Sequence, residues 1–253
     1  MTANKSAADT LRELAALLGR PQPAWKQVDH SRPKAIIVTF ANPLTVRLSL
    51  DLPDYLGLLA KFDAVLPDGQ LLASSASRIL GRSVLRSSFD GNSLAPEVFS
   101  HCRSNRLRVA LIGGTPGIAE AAASEFEREF GITIPYKRSG FFASESDRAA
   151  AIRELVARKI DVLVCGMGAP HQDRFLLDAK ETEWKGVGFS CGGYLDQAVC
   201  GGVRYYPEIV NRLNLRAPYR LLREPRRLWK RYLIEYQPFL IADLRLRLSG
   251  RIS

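Results

Sequence analysis

Two patterns alternate along the chain. Short, uninterrupted apolar runs occur at Ala35–Phe40 (AIIVTF), Ala64–Leu66, Arg108–Gly114 (RVALIGG), Asp161–Gly168 (DVLVCGMG) and Gly186–Cys191 (GVGFSC). They are brief, rich in branched residues and bounded by Pro or Gly, which predicts buried strands. Between them, apolar residues recur at helical spacing over Asp9–Leu18, Asp54–Phe62, the segment after Gly114 and Asp147–Lys159. In the third of these, Thr115 stands where a cap is expected and Pro116 in the first turn. Continuous apolar strands alternating with amphipathic helices predict an α/β fold, a mostly parallel sheet covered on both faces.

In such sheets ligands bind at the carboxyl ends of the strands. The unusual polar and glycine clusters fall there: Asn42, Asp68-Gly69, Gly113-Gly114, Gly166 to Gln172 and Gly192-Gly193. That coincidence points to one composite site. LIGGTPG offers backbone amides and a positive helix end to a phosphate; a plain tight turn is the alternative. It lacks the GxGxxG of dinucleotide folds and the Gly-Lys-Ser/Thr ending of a nucleotide-triphosphate loop. Asp68 in LPDG has the placement of a general base beside a reacting hydroxyl, the alternative being an ordinary Asp-Gly turn. Gln172 in GMGAPHQD is an uncharged amide suited to a base or a sugar hydroxyl. His171 beside it reads more simply as a solvated loop residue, and Asp196 in GYLDQ serves either a ligand or a helix end.

Apolar residues at 46% exclude a disordered chain. No apolar run approaches the roughly 18–20 residues of a membrane helix, and charges at Asp9, Arg12 and Glu13 argue against a secretory leader. Four cysteines without a CxxC pair and only three histidines make a disulfide scaffold or a zinc module improbable. No metal and no cofactor are expected.

The net charge of +10 is unevenly placed. From Cys200 onward there are 12 basic and 4 acidic residues, a net of +8, which leaves +2 for the first 199. A nearly neutral body with a basic tail calls for an anionic partner. The run Arg216–Tyr232 (RAPYRLLREPRRLWKRY) holds seven basic residues interleaved with aromatics. Beyond it, Phe239, Leu240, Ile241, Leu244 and Leu248 are expected to share one helix face, with Arg245 and Arg247 flanking it. A basic amphipathic segment of this kind suits a membrane interface.

Together these motifs resemble the WecG/TagA/CpsF glycosyltransferase family from about Ala35 to Tyr232. VTFANP carries the family's Asn as Asn42, and LPDG its (A/P)DG motif. LIGGTPG is similar to its LxGGxPG (Gly113, Gly114), SGFF to its GYF (Gly140, Phe141), and GMGAPHQDRF to its GxGxPKQE (Gly166, Gln172). YRLLREPRRLWKRY follows its YRLxxEPxRxxRRY ending almost letter for letter. The resemblance implies a Rossmann-like domain over 1–202 and a basic, helical, membrane-associating appendage over 203–253 that completes the active site. It implies a metal-independent, inverting transfer from a nucleotide-diphospho-sugar to a polyprenyl-diphosphate-linked sugar in exopolysaccharide or envelope glycan assembly. The enzyme would sit at the cytoplasmic face of the plasma membrane.

Asp68 then matches the base; Asn42, Arg86, Gln172 and Asp196 match donor-pocket residues. Arg204, Arg220, Arg227, Lys230 and Arg231 match basic residues that meet the diphosphate. The sequence departs from the family at PHQD for PKQE, at SCGGYLD for GGxFD, at RYYPE for RAPE, and around Arg86. A homo-oligomer is left open. Two readings from other classes are a nucleic-acid binder using the basic tail, which lacks any recognised RNA or DNA module, and a nucleotide-dependent oxidoreductase, which lacks GxGxxG.

Overall fold

The computed structural model describes residues 5–21, 33–203, 210, 216–223 and 225–250. Six strands, β1 (Ile36–Ala41), β2 (Ala64–Pro67), β3 (Arg108–Gly113), β4 (Thr133–Arg138), β5 (Val162–Gly166) and β6 (Val187–Ser190), form a parallel sheet in the order β2-β1-β6-β5-β3-β4. The helices up to the middle of the chain are α1 (Ala7–Leu18), α2 (Leu44–Asp51), α3 (Tyr55–Leu59), α4 (Gln70–Leu80), α5 (Leu94–Ser104) and α6 (Ile118–Phe130). Those that follow are α7 (Glu145–Ala157), α8 (His171–Lys180), α9 (Tyr194–Gly201), α10 (Arg216–Arg223), α11 (Pro225–Lys230) and α12 (Gln237–Leu248). The expected α/β, Rossmann-like class is what the chain forms. By its contacts the chain divides into two compact units: 1–21, 40–87 and 206–253 make the first, 22–39 and 88–205 the second.

In the second unit β5 is buried at all five positions, and Val109, Ala110 and Leu111 of β3 pair with Val162, Leu163 and Val164. Absence of alternation is what a strand covered on both faces requires. Phe89, Phe99, Phe126, Phe189 and Tyr194 fill the space beside it, with Phe126 and Tyr194 stacked at 5.2 Å. Two expectations need correction here. The helix after Gly114 starts at Ile118, behind Gly117 at φ 91°, and has no side-chain cap; Thr115 lies outside it and contributes only its carbonyl, to the Ile118 N–H at 3.1 Å. The next helix begins two residues early, because Ser144 caps it by accepting the Asp147 N–H. The sheet also gains β4, an edge strand whose Pro135 and Lys137 suit an edge and hide it from an apolar-run reading.

The first unit is built around α1. Ser6 accepts the Asp9 N–H at 3.2 Å, and Leu11, Leu14 and Ala15 are fully buried. This helix packs against α2, α4, α12 and β2. The expected helix over Asp54–Phe62 shrinks to Tyr55–Leu59 behind Pro53, while α2 and α4 are helices that the apolar pattern did not reveal.

The C-terminal helix differs most. Its inner face is Phe239, Ala242, Asp243 and Leu246, whereas Leu240 (46%), Ile241 (41%), Leu244 (56%) and Leu248 (79%) are exposed. Of the five residues expected on one face, only Phe239 turns inward. The inner face is centred on a carboxylate. Asp243 accepts hydrogen bonds from Ser75 Oγ (2.6 Å) and Arg78 Nη2 (2.8 Å), and from Arg247 Nε (2.9 Å) and Nη2 (2.6 Å).

Burial pushes the Asp243 carboxyl up, but those hydrogen bonds outweigh it and hold the group below its usual value. The stability so contributed is present above the unfolded carboxylate's value, about 3.9. It is lost as the pH falls through the lower folded value. Leu246→Ala should lower stability by about 2–4 kcal/mol in chemical denaturation. Leu248→Ala, on the same helix but outside, should change it by less than about 0.5 kcal/mol; equal effects would contradict this division of faces.

Candidate functional site

In the second unit four strand ends meet through glycine. A side chain at Gly113 would overlap the backbone of Gly166, and the Gly114 N–H donates to the Gly166 carbonyl at 3.0 Å. A Cβ at Gly166 would stand 2.9 Å from both Cys191 Sγ and Gly192 O. One at Gly140 would collide with Met167 and come within 3.1 Å of Gly113 Cα. Strands β3, β5 and β6 and the loop after β4 therefore end in one tightly joined backbone cluster.

Hydrogen bonds fix the loops around it. The Gly114 carbonyl accepts from the Gly140 N–H and from Ser139 Oγ, both at 3.1 Å, and Ser139 Oγ accepts the Phe141 N–H at 3.1 Å. Gln172 lies in the first turn of α8, not in a loop, and is buried. Its Oε1 accepts the N–H groups of Gly168 and Gly192, each at 3.2 Å, so this side chain ties the loop after β5 to the loop after β6. His171 beside it is exposed. Asp196 is half-buried in the first turn of α9.

Two aromatic neighbours divide their roles. Phe142 stacks on Phe175 (5.5 Å, 7°) beneath the Arg138 guanidinium, which Asp147 holds through both terminal nitrogens at 3.1 Å. Phe141 is 69% exposed. A flat apolar ring open to solvent next to a glycine-lined strand end can stack on a nucleobase. On the far side, α6 begins with its positive end just behind the exposed turn Thr115–Gly117.

A buried polar group escaped the sequence reading. Thr39 Oγ1 donates to Asp173 Oδ1 at 2.6 Å and lies 2.9 Å from Ser190 Oγ, all three nearly inaccessible. It pins the first turn of α8, and with it Gln172, to the ends of β1 and β6. Thr39 lies more than a hundred positions from both Asp173 and Ser190, so only the fold brings it to them.

In the first unit three further expected residues lie on neighbouring segments. Asp68 follows β2, and its N–H donates to the Ala41 carbonyl at 2.7 Å, next to Asn42. The Ser87 N–H donates to the Pro67 carbonyl at 2.9 Å, which brings the segment of Arg86 to the same strand end. Asn42 Oδ1 accepts the Leu44 N–H at 3.0 Å and so starts α2. Gly69, at φ 104°, is the single residue between Asp68 and α4.

In the tail Lys230 is exposed, and the Arg231 guanidinium stands over the Tyr236 ring at 6.0 Å. Arg220 and Arg227 lie in α10 and α11. Arg204 falls outside the described residues. A groove of about 580 Å³ floored by Ala149, Ile152 and Val156 of α7 holds none of the expected site residues. Among the described residues no three His, Cys, Asp or Glu side chains gather as metal ligands, and no helix is long and apolar enough to cross a membrane.

Known proteins bear on this geometry. The glycosyl transferase WecG/TagA/CpsF family, by its sequence profile, matches residues 20–252. A UDP-Gal:alpha-D-GlcNAc-diphosphoundecaprenol beta-1,4-galactosyltransferase of Shigella boydii is 31% identical over 206 residues, 81% of this chain and 84% of that one. An N-acetylglucosaminyldiphosphoundecaprenol N-acetyl-beta-D-mannosaminyltransferase of Bacillus subtilis (strain 168) is 26% identical over 198 residues, 78% of this chain and 75% of that one.

Gly113→Ala should disrupt the β3–β5 junction. The expected result is a melting temperature several degrees lower in calorimetry. An unchanged melting temperature would show that the strand ends have room to spare.

Proposed function

Since the chain belongs to the glycosyl transferase WecG/TagA/CpsF family, we propose that it transfers a hexose from a UDP-sugar to a sugar carried on a polyprenyl diphosphate. The match to a relative named for UDP-Gal and a diphosphoundecaprenol acceptor, over four fifths of both chains, carries this reading. Both relatives are named for β-linked products. A single displacement with inversion gives that outcome from an α-configured nucleotide sugar.

Asp68 takes the proton of the acceptor hydroxyl while that oxygen attacks the anomeric carbon of the donor. The bond to the nucleotide diphosphate breaks, and negative charge builds on the leaving phosphates. Arg204, Arg220, Arg227, Lys230 and Arg231 stabilise that charge where other enzymes use a metal ion. Asn42 and Arg86 line the donor pocket beside Asp68. The glycine cluster of Gly113, Gly114, Gly140 and Gly166 admits the donor's backbone-close groups, Phe141 stacks on its base, and Asp196 and the amide nitrogen of Gln172 meet its hydroxyls. The relatives' names differ in the sugar, galactose in one and N-acetylmannosamine in the other, so the donor hexose stays open.

The exposed outer face of α12 supports a reading of membrane docking. Leu240, Leu244 and Leu248 are exposed on a helix that also carries Arg245 and Arg247, and Trp229 and Leu233 are exposed shortly before it. Apolar and basic groups on one segment favour an anionic lipid surface over a nucleic acid; each Lys or Arg near such a surface contributes about 1 kcal/mol. The protein would work peripherally at the cytoplasmic face of the plasma membrane, in exopolysaccharide or envelope glycan synthesis.

The test is UDP release from a panel of UDP-sugars, with a synthetic lipid-diphosphate-sugar acceptor and EDTA present. Acceptor-dependent release from one donor is expected, at a rate that EDTA does not change. Asp68→Asn should lower it by about 100-fold or more while circular dichroism stays native. Substantial residual transfer in that variant would remove Asp68 as the base.

A further inference from the structure

The two helices that begin directly behind Asn42 and Asp68 are both held by the C-terminal helix. α2 starts at Leu44, whose N–H is bonded by Asn42, and α4 starts at Gln70, one glycine beyond Asp68. α12 packs against α2 and against α1, and α1 in turn packs against α2 and α4. Between α12 and α4 the link is polar: Asp243 receives Ser75 Oγ and Arg78 Nη2 on one oxygen and Arg247 on the other.

We propose that Asp243 is a positioning residue for Asp68, fixing through Ser75 and Arg78 the helix that starts beside the base. The inference rests on the reading of Asp68 as the base. Ser75 is five residues into α4, about 7.5 Å along the helix from its start, so the lever is short. Only Gly69 separates that helix from Asp68. A tilt of α4 is therefore transmitted to the carboxylate with little to absorb it.

The choice of residue type supports the inference. Asp243 is 7% exposed, and the rest of the inner face (Phe239, Ala242, Leu246) is apolar. A leucine at 243 would continue that face. A buried carboxylate adds little net stability over an apolar residue, but it accepts donors in one register only. Ser75 is fully buried and Arg78 only partly exposed, so sliding or rotating α12 would strand both donors. The same helix turns Leu240, Leu244 and Leu248 outward, so the element proposed to meet lipid is also the one that sets the base.

The experiment compares the full-length protein with Asp243→Asn and Ser75→Ala, using a short-chain, water-soluble diphosphate-sugar acceptor so that lipid docking does not enter. Asp243→Asn should lower kcat about tenfold with KM for the UDP-sugar within twofold. Hydrogen exchange should quicken at the α4 amides from Ala73 to Ser77. Ser75→Ala, which keeps both ion pairs and guards against a misfolded Asn variant, should show a smaller loss of the same kind, about threefold. An unchanged kcat per folded molecule in both variants overturns the proposal. So does activity falling only in step with the folded fraction, or a lower kcat without faster exchange in α4. The exchange measurement does not depend on what the base is, so if Asp68→Asn keeps its activity the base assignment fails separately from the α12–α4 link.

Discussion

At the ends of β3 and β5 two backbones approach so closely that a methyl group at Gly113 would overlap the Gly166 peptide. This approach is made possible by the parallel pairing that precedes it, Val109 with Val162 through Gly113 with Gly166. In turn it brings the loop after β4 against Met167 and the loop after β6 against Gly166. Much of the second unit serves that junction. Gln172 holds two of its loops by their amides, and the buried Thr39–Asp173–Ser190 group holds Gln172 in place. The strand ends are left with small side chains and fixed backbone, the surface proposed to meet the nucleotide donor.

The interior of the fold was legible in the sequence because burial on both sides forces an unbroken apolar run. β3, β5 and β6 are such runs. β4 was not legible: at the sheet edge it needs no second apolar face, and Thr133, Pro135 and Lys137 fit that position while erasing the signal. α4, with three serines in eleven residues, also lacks an obvious apolar stripe, yet Ser75 is buried because a carboxylate from α12 awaits it. The C-terminal helix shows the same limit from the other direction. Five apolar residues suggested one face, but which stripe turns inward depends on partners in α1, α2 and α4 that local spacing does not contain.

For the site, residue type at strand ends was informative. Asp68, Asn42 and the paired glycines stand where a parallel sheet offers its ends, and backbone bonds from Asp68 to Ala41 and from Ser87 to Pro67 bring three of the expected residues onto adjoining segments. What the type could not reveal was which atoms local structure already occupies. Gln172 reads as a ligand-facing amide, yet its oxygen is bonded to Gly168 and Gly192; Asn42 reads the same way, yet its oxygen starts α2. In both, the amide nitrogen is the group that remains for a sugar or base.

The tail joins these observations through charge. From residue 200 onward 12 basic residues face only 4 acidic ones. One of the four, Asp243, is turned inward, where it meets Arg78 from outside the tail as well as Arg247. A segment so charged repels itself and needs fixed anchors to stay folded. The inner face of α12 supplies them, and the anionic lipid and diphosphate of the proposed reaction would supply the rest. On that reading the contact of α12 with α4 links the binding of lipid and substrate to the segment that carries Asp68.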